Sequence, residues 1–354
     1  MLIIVFSKPY WPSIGGVESS SRILARVLTQ AGCRVIVITA TQLGGLAERD
    51  DGFAVCRDTS FRALLRHTES ANAVIINGGL SVPAAFATWL RGKPFAVWHQ
   101  MAGGTGLMAE TLSQRIRLRM EAMLTKRASL HVGASEACLE SKDVPAHVPR
   151  TVIFNPVAPE LEAHARQRSQ TQRNIDVLFV GRLFKGKGIF ILADALAQIG
   201  GGGKTLRACF VGVGPDEGML RDALAKTPNV QAEFMGGLAV ERLSEVYPRA
   251  RCLAVPSTTH PEGMPLVIGE ALTFGVPVVG SDQPAIVEAI GDCGRICPQG
   301  NSAALAHALE SLLADEAART QLSQRALLRS GRFSSSRFAA AAQRVVAEMV
   351  SNRQ

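Results

Sequence analysis

Glu262 and Glu270 are carboxylates with seven residues between them, in the segment Pro256-Ser-Thr-Thr-His-Pro-Glu-Gly-Met-Pro-Leu-Val-Ile-Gly-Glu-Ala-Leu272. Pro265 suits a first helical turn, so a helix is expected to begin near Met264 or Pro265. Glu262 then lies in the loop before the helix and Glu270 inside it. Helical spacing would separate them by about 12 Å. An acid/base carboxylate couple needs about 5–9.5 Å, so these two are not one. They are placed to grip two ends of one elongated ligand, with the helix N-terminus aimed at an anion between them. The plain alternative is two solvated glutamates flanking a turn, which the apolar surroundings disfavour.

A second constellation is cationic. Gly181-Arg-Leu-Phe-Lys-Gly-Lys-Gly188 brings Arg182, Lys185 and Lys187 into one glycine-rich loop. Arg as a planar fork and Lys as a point charge suit a diphosphate. Lys187 is followed by Gly188 rather than Ser or Thr, so this is not a Walker P-loop. A solvated basic loop is the alternative. Gly15 and Gly16, in Pro12-Ser-Ile-Gly-Gly-Val-Glu18, could let a ligand approach the backbone at a helix N-terminus, or could simply serve a tight turn. Val211-Gly-Val-Gly-Pro215 lacks the third glycine of a dinucleotide fingerprint, since position 217 is Glu. That excludes NAD and leaves Gly212 and Gly214 as positions of close approach. His99, at the end of an apolar run, is placed either to touch a substrate or to pack in a loop. His260 is a second candidate of the same kind.

These residues need elements to hold them, and short apolar runs alternate with amphipathic stretches from end to end. Leu2–Phe6, Arg34–Thr39, Ala73–Ile76, Phe95–Trp98 and Leu130–Val132 read as buried strands, with helices over Glu18–Gln30 and Glu110–Arg127 between some of them. Asp176–Val180, Leu206–Val211, Val230–Phe234, Cys252–Val255 and Pro277–Val279 repeat the pattern. Continuous apolar strands in βαβ order imply parallel sheets covered on both faces. The expected fold is α/β, two tandem doubly wound Rossmann-like domains. The first spans residues 1–160, a polar linker 161–173, the second 174–332, and a C-terminal helix 333–354 crosses back to the first. Such sheets bind ligands beyond the C-terminal strand ends, so the expected site is the cleft between the domains.

The 354 residues are 47% hydrophobic and 19% charged, which excludes disorder. Seven scattered cysteines form neither a disulfide framework nor a zinc pattern and fit a reducing, cytoplasmic compartment. Met1–Phe6 lacks the charge and length of a signal peptide, and the uncharged run Ala71–Leu90 is broken by Gly78, Gly79 and Pro83, against a membrane span. Residues 1–170 carry net +6 and residues 171–354 only +2. Sparse aromatics exclude a base-stacking surface, so nucleic acid is not an expected partner. In Glu110–Arg127, Arg115, Arg117, Arg119, Lys126 and Arg127 give a basic side, and Leu112, Ile116, Met120, Met123 and Leu124 share an apolar face. The helix is either core-packed with a solvated face or a contact for an anionic membrane or acceptor.

Taken in order, these segments resemble the family 4 glycosyltransferases of the GT-B fold. The resemblance rests on Ile14-Gly-Gly-Val-Glu18, His99, Asn155-Pro-Val157, Gly181-Arg-Leu with Lys187-Gly188, Val211-Gly-Val-Gly-Pro215, Pro256-Ser257 and Glu262 with Glu270. Pro277-Val-Val-Gly-Ser281 and Glu288 extend it. It implies a retaining, metal-independent transfer from a UDP- or GDP-sugar to a saccharide or lipid-linked acceptor, with no cofactor. Arg182 and Lys187 would bind the donor diphosphate and Glu270 its ribose. Glu262 with the backbone of Gly263, Met264, Pro265 and Leu266 would hold the donor sugar. Gly15 and Gly16 would close on the diphosphate, and His99 would reach the donor sugar. Two departures stand out: Gln100 follows His99 where many relatives have Asp, and Gln283-Pro-Ala replaces a glycine pair. A nucleotide-sugar epimerase or a non-catalytic sugar-nucleotide-binding partner are the competing readings. The expected location is cytoplasmic, peripheral at the inner face of the membrane.

Overall fold

The computed structural model describes residues 1–354 except 14, 49, 103–110, 141, 143, 168–171 and 352–354. The chain forms two compact units, Met1–Pro156 together with Ser335–Gln354, and Val157–Ser334.

The first unit runs β1 (Leu2–Ser7), α1 (Gly16–Gln30), β2 (Arg34–Ile38), β3 (Ala54–Cys56), α2 (Phe61–Glu69), β4 (Ala73–Asn77) and α3 (Val82–Leu90). It continues through β5 (Phe95–His99), α4 (Leu112–Arg127), β6 (Leu130–Gly133), α5 (Glu136–Glu140) and β7 (Arg150–Val152). Its seven strands are parallel, in the order β3-β2-β1-β4-β5-β6-β7. Every residue of β1, β4 and β5 is buried, as expected of strands covered on both faces. Ile4, Phe6, Ile38, Leu64, Ile76, Phe95 and Leu124 belong to one core cluster.

The second unit runs α6 (Pro159–Arg166), β8 (Ile175–Val180), a 3-10 turn (Lys185–Lys187), α7 (Ile189–Gly201), β9 (Leu206–Val211), α8 (Glu217–Ala225), β10 (Val230–Gly236) and α9 (Val240–Val246). Then follow β11 (Ala250–Val255), α10 (Leu266–Thr273), β12 (Val278–Ser281), α11 (Pro284–Ile290), β13 (Gly294–Cys297), α12 (Ser302–Ala314) and α13 (Glu316–Ser330). Six parallel strands take the order β10-β9-β8-β11-β12-β13. The last helix, α14 (Ser335–Ser351), belongs to the first unit, where it packs on α1 and sets Phe338 against Trp98 with ring centroids 5.4 Å apart.

In each sheet the strand order reverses once, between β1 and β4 and between β8 and β11. Loops diverge there beyond the C-terminal strand ends, which makes these two points the natural ligand sites. The β1–α1 loop with Gly15 and the β8–α7 loop with Arg182 and Lys187 start at those points, as does the β11–α10 loop with Glu262.

Two expectations change. The segment expected as a linker over 161–173 is helix through Arg166: Pro159 starts α6, Leu161 is fully buried, and α6 packs on α9 and α10. A two-turn helix can be anchored by very few apolar residues, so a polar composition hid it. The helix expected over Glu110–Arg127 is observed as Leu112–Arg127, begun by a Thr111/Gln114 capping box, and Glu110 lies outside the described residues. Only Leu124 of it is buried, whereas Leu112 and Ile116 are 74% and 51% exposed. Its first half is therefore not a core-packed face.

Candidate functional site

In the second unit the β8–α7 loop and the β11–α10 loop are joined into one structure. Thr258 and His260 donate backbone N–H groups to the carbonyl of Gly186 at 2.9 and 3.3 Å. Gly188 has φ of 72°, and a Cβ there would stand 1.9 Å from the carbonyl oxygen of Pro256. Only glycine permits that approach. Lys187 Nζ then lies 2.6 Å from Glu262 Oε1, which also accepts from Ser257 Oγ at 2.5 Å. The Glu262 N–H donates to Gln283 Oε1 at 2.9 Å, and Gln283 Nε2 donates to the carbonyls of Thr258 and His260 at 3.0 and 3.1 Å. Gln283, which stands where the resemblance expects a glycine pair, is thus the clamp of the Glu262 loop. Ser281 Oγ completes it by donating to the Ser257 carbonyl at 2.7 Å.

Glu262 is in the loop and Glu270 in the helix, as their spacing predicts. Gly263, Met264 and Pro265 are buried and Leu266 begins α10. Glu270 Oε2 accepts from the buried Tyr247 hydroxyl at 2.5 Å. Burial raises the Glu270 carboxyl above the usual carboxylate range, opposed by that hydrogen bond. Burial, then the Glu270 charge, keeps the Tyr247 phenol protonated as the donor. Arg182 is exposed and its guanidinium sits 5.6 Å from the centre of the Phe184 ring, whose other neighbour is His260 in an edge-on arrangement. Burial, followed by the Lys187 charge, lowers the His260 pKa, and Glu262 opposes both. His260 therefore belongs to this constellation.

At Gly212 and Gly214 the structure shows a close approach within the protein itself. Cβ atoms on them would lie 1.9 Å from the carbonyl oxygen of Gly181 and 2.0 Å from that of Leu183. The close approach is by the protein's own loop: the Gly181 and Leu183 N–H groups donate to the carbonyls of Val211 and Val213. These glycines position the loop that carries Arg182.

In the first unit, Gly15 caps α1 in extended conformation, φ 177°, and Gly16 is the first helical residue. Neither lies in the left-handed region, so backbone conformation does not explain a glycine at Gly15 or Gly16. His99 ends β5, only 5% exposed. Its Nε2 is 2.8 Å from His131 Nδ1, and His131 Nε2 is 3.0 Å from the Thr125 carbonyl of α4. Burial, then the His131 and Lys142 charges, lowers the His99 pKa to about 3, and burial also lowers that of His131. Both rings are neutral at pH 7. Beside them runs a buried neutral chain: Asn155 Nδ2 donates to Gln100 Oε1 at 2.7 Å, and Gln100 Nε2 to Asn77 Oδ1 at 2.9 Å. Asn77 Nδ2 donates to Ser21 Oγ and Ser21 Oγ reaches Ser7 Oγ, both at 2.7 Å. Sequence reasoning found His99, gave Ser257 no role beyond its place in a motif, and missed His131, Asn77 and Tyr247. None of these falls in a motif loop except Ser257, and each shares a network only once the strands align.

Among the described residues, no group of three or more His, Cys, Asp or Glu side chains is arranged to hold a metal ion, and no helix is long and apolar enough to cross a membrane.

Two parallel doubly wound units with these switch-point loops define the GT-B architecture. Residues 162–329, within the second unit, match the family described as Glycosyl transferases group 1. The phosphatidyl-myo-inositol mannosyltransferase of Mycobacterium leprae is 32% identical over 150 residues, 40% of this chain and 38% of that protein. The amylovoran biosynthesis glycosyltransferase AmsK of Erwinia amylovora is 27% identical over 168 residues, 46% of this chain and 41% of that protein. The matches thus span less than half the length of these curated relatives. The fold as a whole is shared with Anabaena HepE, solved in complex with UDP, at a TM-score of 0.75 and 21% identity over 99% of this chain and 100% of that one.

Proposed function

We propose that the protein is a retaining glycosyltransferase that moves a sugar from a UDP- or GDP-sugar to a saccharide or lipid-linked acceptor, in cell-surface polysaccharide or glycolipid biosynthesis. The observation that carries this reading is the Lys187–Glu262 pair ahead of α10, with Glu270 inside that helix. Lys187 and Arg182 serve the donor diphosphate, Glu262 and the Gly263–Leu266 backbone the sugar, and Glu270 the ribose. In the first unit His99 serves a sugar hydroxyl, and Gly15 and Gly16 close on the donor diphosphate at the start of α1.

In the transfer, the C1–O bond to the diphosphate breaks while a C1–O bond to the acceptor forms on the same face. The acceptor's proton passes to the departing phosphate oxygen. Arg182, Lys187 and the α10 dipole stabilise the negative charge that develops there. No step calls on a cofactor or a metal.

A panel of UDP-, GDP- and ADP-sugars, with and without membrane extract, tests this by product mass, anomeric configuration and activity in EDTA. A product retaining its configuration supports the reading. Isomerised donor without acceptor would favour the epimerase, and donor binding without turnover the non-catalytic partner.

The exposed Leu112 and Ile116 beside Arg115 and Arg119 on α4 support a peripheral site at the cytoplasmic membrane face. Each basic residue contributes about 1 kcal/mol near an anionic surface. Neutralising Arg115, Arg119, Lys126 and Arg127 together should abolish co-sedimentation with anionic vesicles, and unchanged co-sedimentation would remove the helix from this role.

A further inference from the structure

The His99–His131 pair carries more than a contact. The ring planes are 8° apart with centroids at 5.1 Å, while the facing nitrogens are only 2.8 Å apart. That combination places the imidazoles edge to edge in nearly one plane, joined by a hydrogen bond. The direction of that bond follows from its far end. His131 Nε2 is 3.0 Å from the Thr125 carbonyl, which can only accept, so His131 Nε2 carries a proton. His131 is neutral, so its Nδ1 is bare and accepts. His99 Nε2 must therefore donate, and His99, also neutral, is left with a bare Nδ1. That nitrogen is buried and has no hydrogen-bond partner among the described residues.

We propose that His131 is a positioning residue that locks His99 as its Nε2–H tautomer, so that His99 Nδ1 presents a lone pair to a hydroxyl of the bound sugar. A nitrogen in this state accepts from O–H or N–H groups and offers nothing to a phosphate or carboxylate oxygen. A buried acceptor left unpaired is costly, so the site discriminates against a sugar lacking the matching hydroxyl. The anchor is backbone: Thr125 lies in α4, and Ala134 N–H holds the His99 carbonyl at 2.9 Å. The tautomer holds as long as His131 stays neutral, which its burial favours. The choice of a sugar hydroxyl as ligand rests on the glycosyl-transfer reading above; the tautomer does not.

The test uses the full chain labelled with nitrogen-15, the imidazole resonances being assigned by single replacement. His99 and His131 are expected as neutral Nε2–H rings at pH 7. His131→Asn keeps an acceptor oxygen near the Nδ1 position, and His131→Phe keeps a ring without one. In His131→Phe the Nδ1–H form of His99 should appear and kcat should fall about 10–100-fold, the usual effect of losing the partner that orients a working histidine, with the donor KM little changed. His131→Asn should keep the His99 tautomer and restore most of kcat. Should His131→Phe fail to fold, the wild-type and His131→Asn spectra decide the matter. A wild-type His99 that is charged or Nδ1–H at pH 7 overturns the proposal, as does a His131→Phe enzyme with unaltered tautomer and kcat. If the wild type releases no nucleoside diphosphate from any donor, the glycosyl-transfer reading fails and the sugar hydroxyl with it. The spectra then still uphold or overturn the locking role of His131.

Discussion

The two units put opposite chemistry at equivalent places in equivalent folds. Beyond the reversal at β8 and β11 stand charges: Arg182, Lys187 and Glu262, with the Lys187 and Glu262 side chains 22% and 7% exposed. Beyond the reversal at β1 and β4 stands a buried chain of neutral groups, Ser7, Ser21, Asn77, Gln100 and Asn155, with the neutral His99–His131 pair on the neighbouring strands. A partly buried charge costs desolvation unless paired, and the second unit meets that cost by bonding Glu262 Oε1 to both Lys187 and Ser257. The first unit avoids the cost by using amides and hydroxyls. The difference separates two tasks: one loop pair can respond to an ionic ligand, while the other can orient hydroxyls without neutralising anything.

The strongest way to break this contrast is to remove the cation. Lys187→Ala should lower turnover about 1,000-fold, the scale of losing one preorganised electrostatic contact to a developing charge. Lys187→Arg should not restore it, because Lys187 meets a single oxygen of Glu262, shared with Ser257, rather than a two-oxygen fork. Donor turnover in steady state measures both, and wild-type rates in Lys187→Ala would remove the residue from the site.

Next in size is Gly212→Ala, which separates loop positioning from ligand contact. A Cβ would sit 1.9 Å from the Gly181 carbonyl oxygen at a φ of 135°, so the two loops must part. A loss of about 3 kcal/mol or more in denaturant unfolding is expected, at the upper end for single substitutions. Unchanged stability with lost donor binding would instead make Gly212 a ligand contact. In the first unit, Gln100→Leu should cost about 2–4 kcal/mol, because Asn77 Oδ1 and Asn155 Nδ2 both lose their partner. A cost below 1 kcal/mol would show that the neutral chain is not a structural unit.

The sequence made the centre of each sheet legible and its margins much less so. β1, β4, β5, β8 and β11 are apolar throughout or nearly so, and their runs stand out. The strands that pattern reading missed are β3, β7 and β13, all at sheet edges. Edge strands are covered less completely and carry fewer apolar residues: β3 and β7 contain no buried residue and β13 only one. The site divides in the same manner. Arg182, Lys187 and Glu262 lie in loops whose glycines and prolines mark them, and Glu270 sits in the helix that the last of these loops begins. His131 sits inside an apolar strand, where a histidine gives no signal until parallel pairing of β5 with β6 sets Gly133 beside His99. Gln283 was noticed only as a departure, since its bonds to Glu262, Thr258 and His260 join segments more than 20 residues apart.

The smallest effect is a pH dependence that should run in opposite directions in the two units. His99 is held neutral, with a folded pKa near 3 against an ordinary value of 6.5, burial being the first cause. Between those values the unfolded chain binds a proton that the folded chain refuses. Stability from this residue is therefore complete above about pH 6.5 and is lost as pH falls, by at most about 1.4 kcal/mol per pH unit. Glu270 is the reverse case. Burial raises its folded pKa above the ordinary 4.5, so its contribution is complete below that value and is lost as pH rises through the folded pKa. Denaturant unfolding from pH 5 to 7 should then show a shallower rise with pH in His99→Gln than in the wild type, and a steeper one in Glu270→Gln. Parallel profiles in all three proteins would mean that neither burial is felt, and that the charged and neutral sites do not differ in the way their geometry requires.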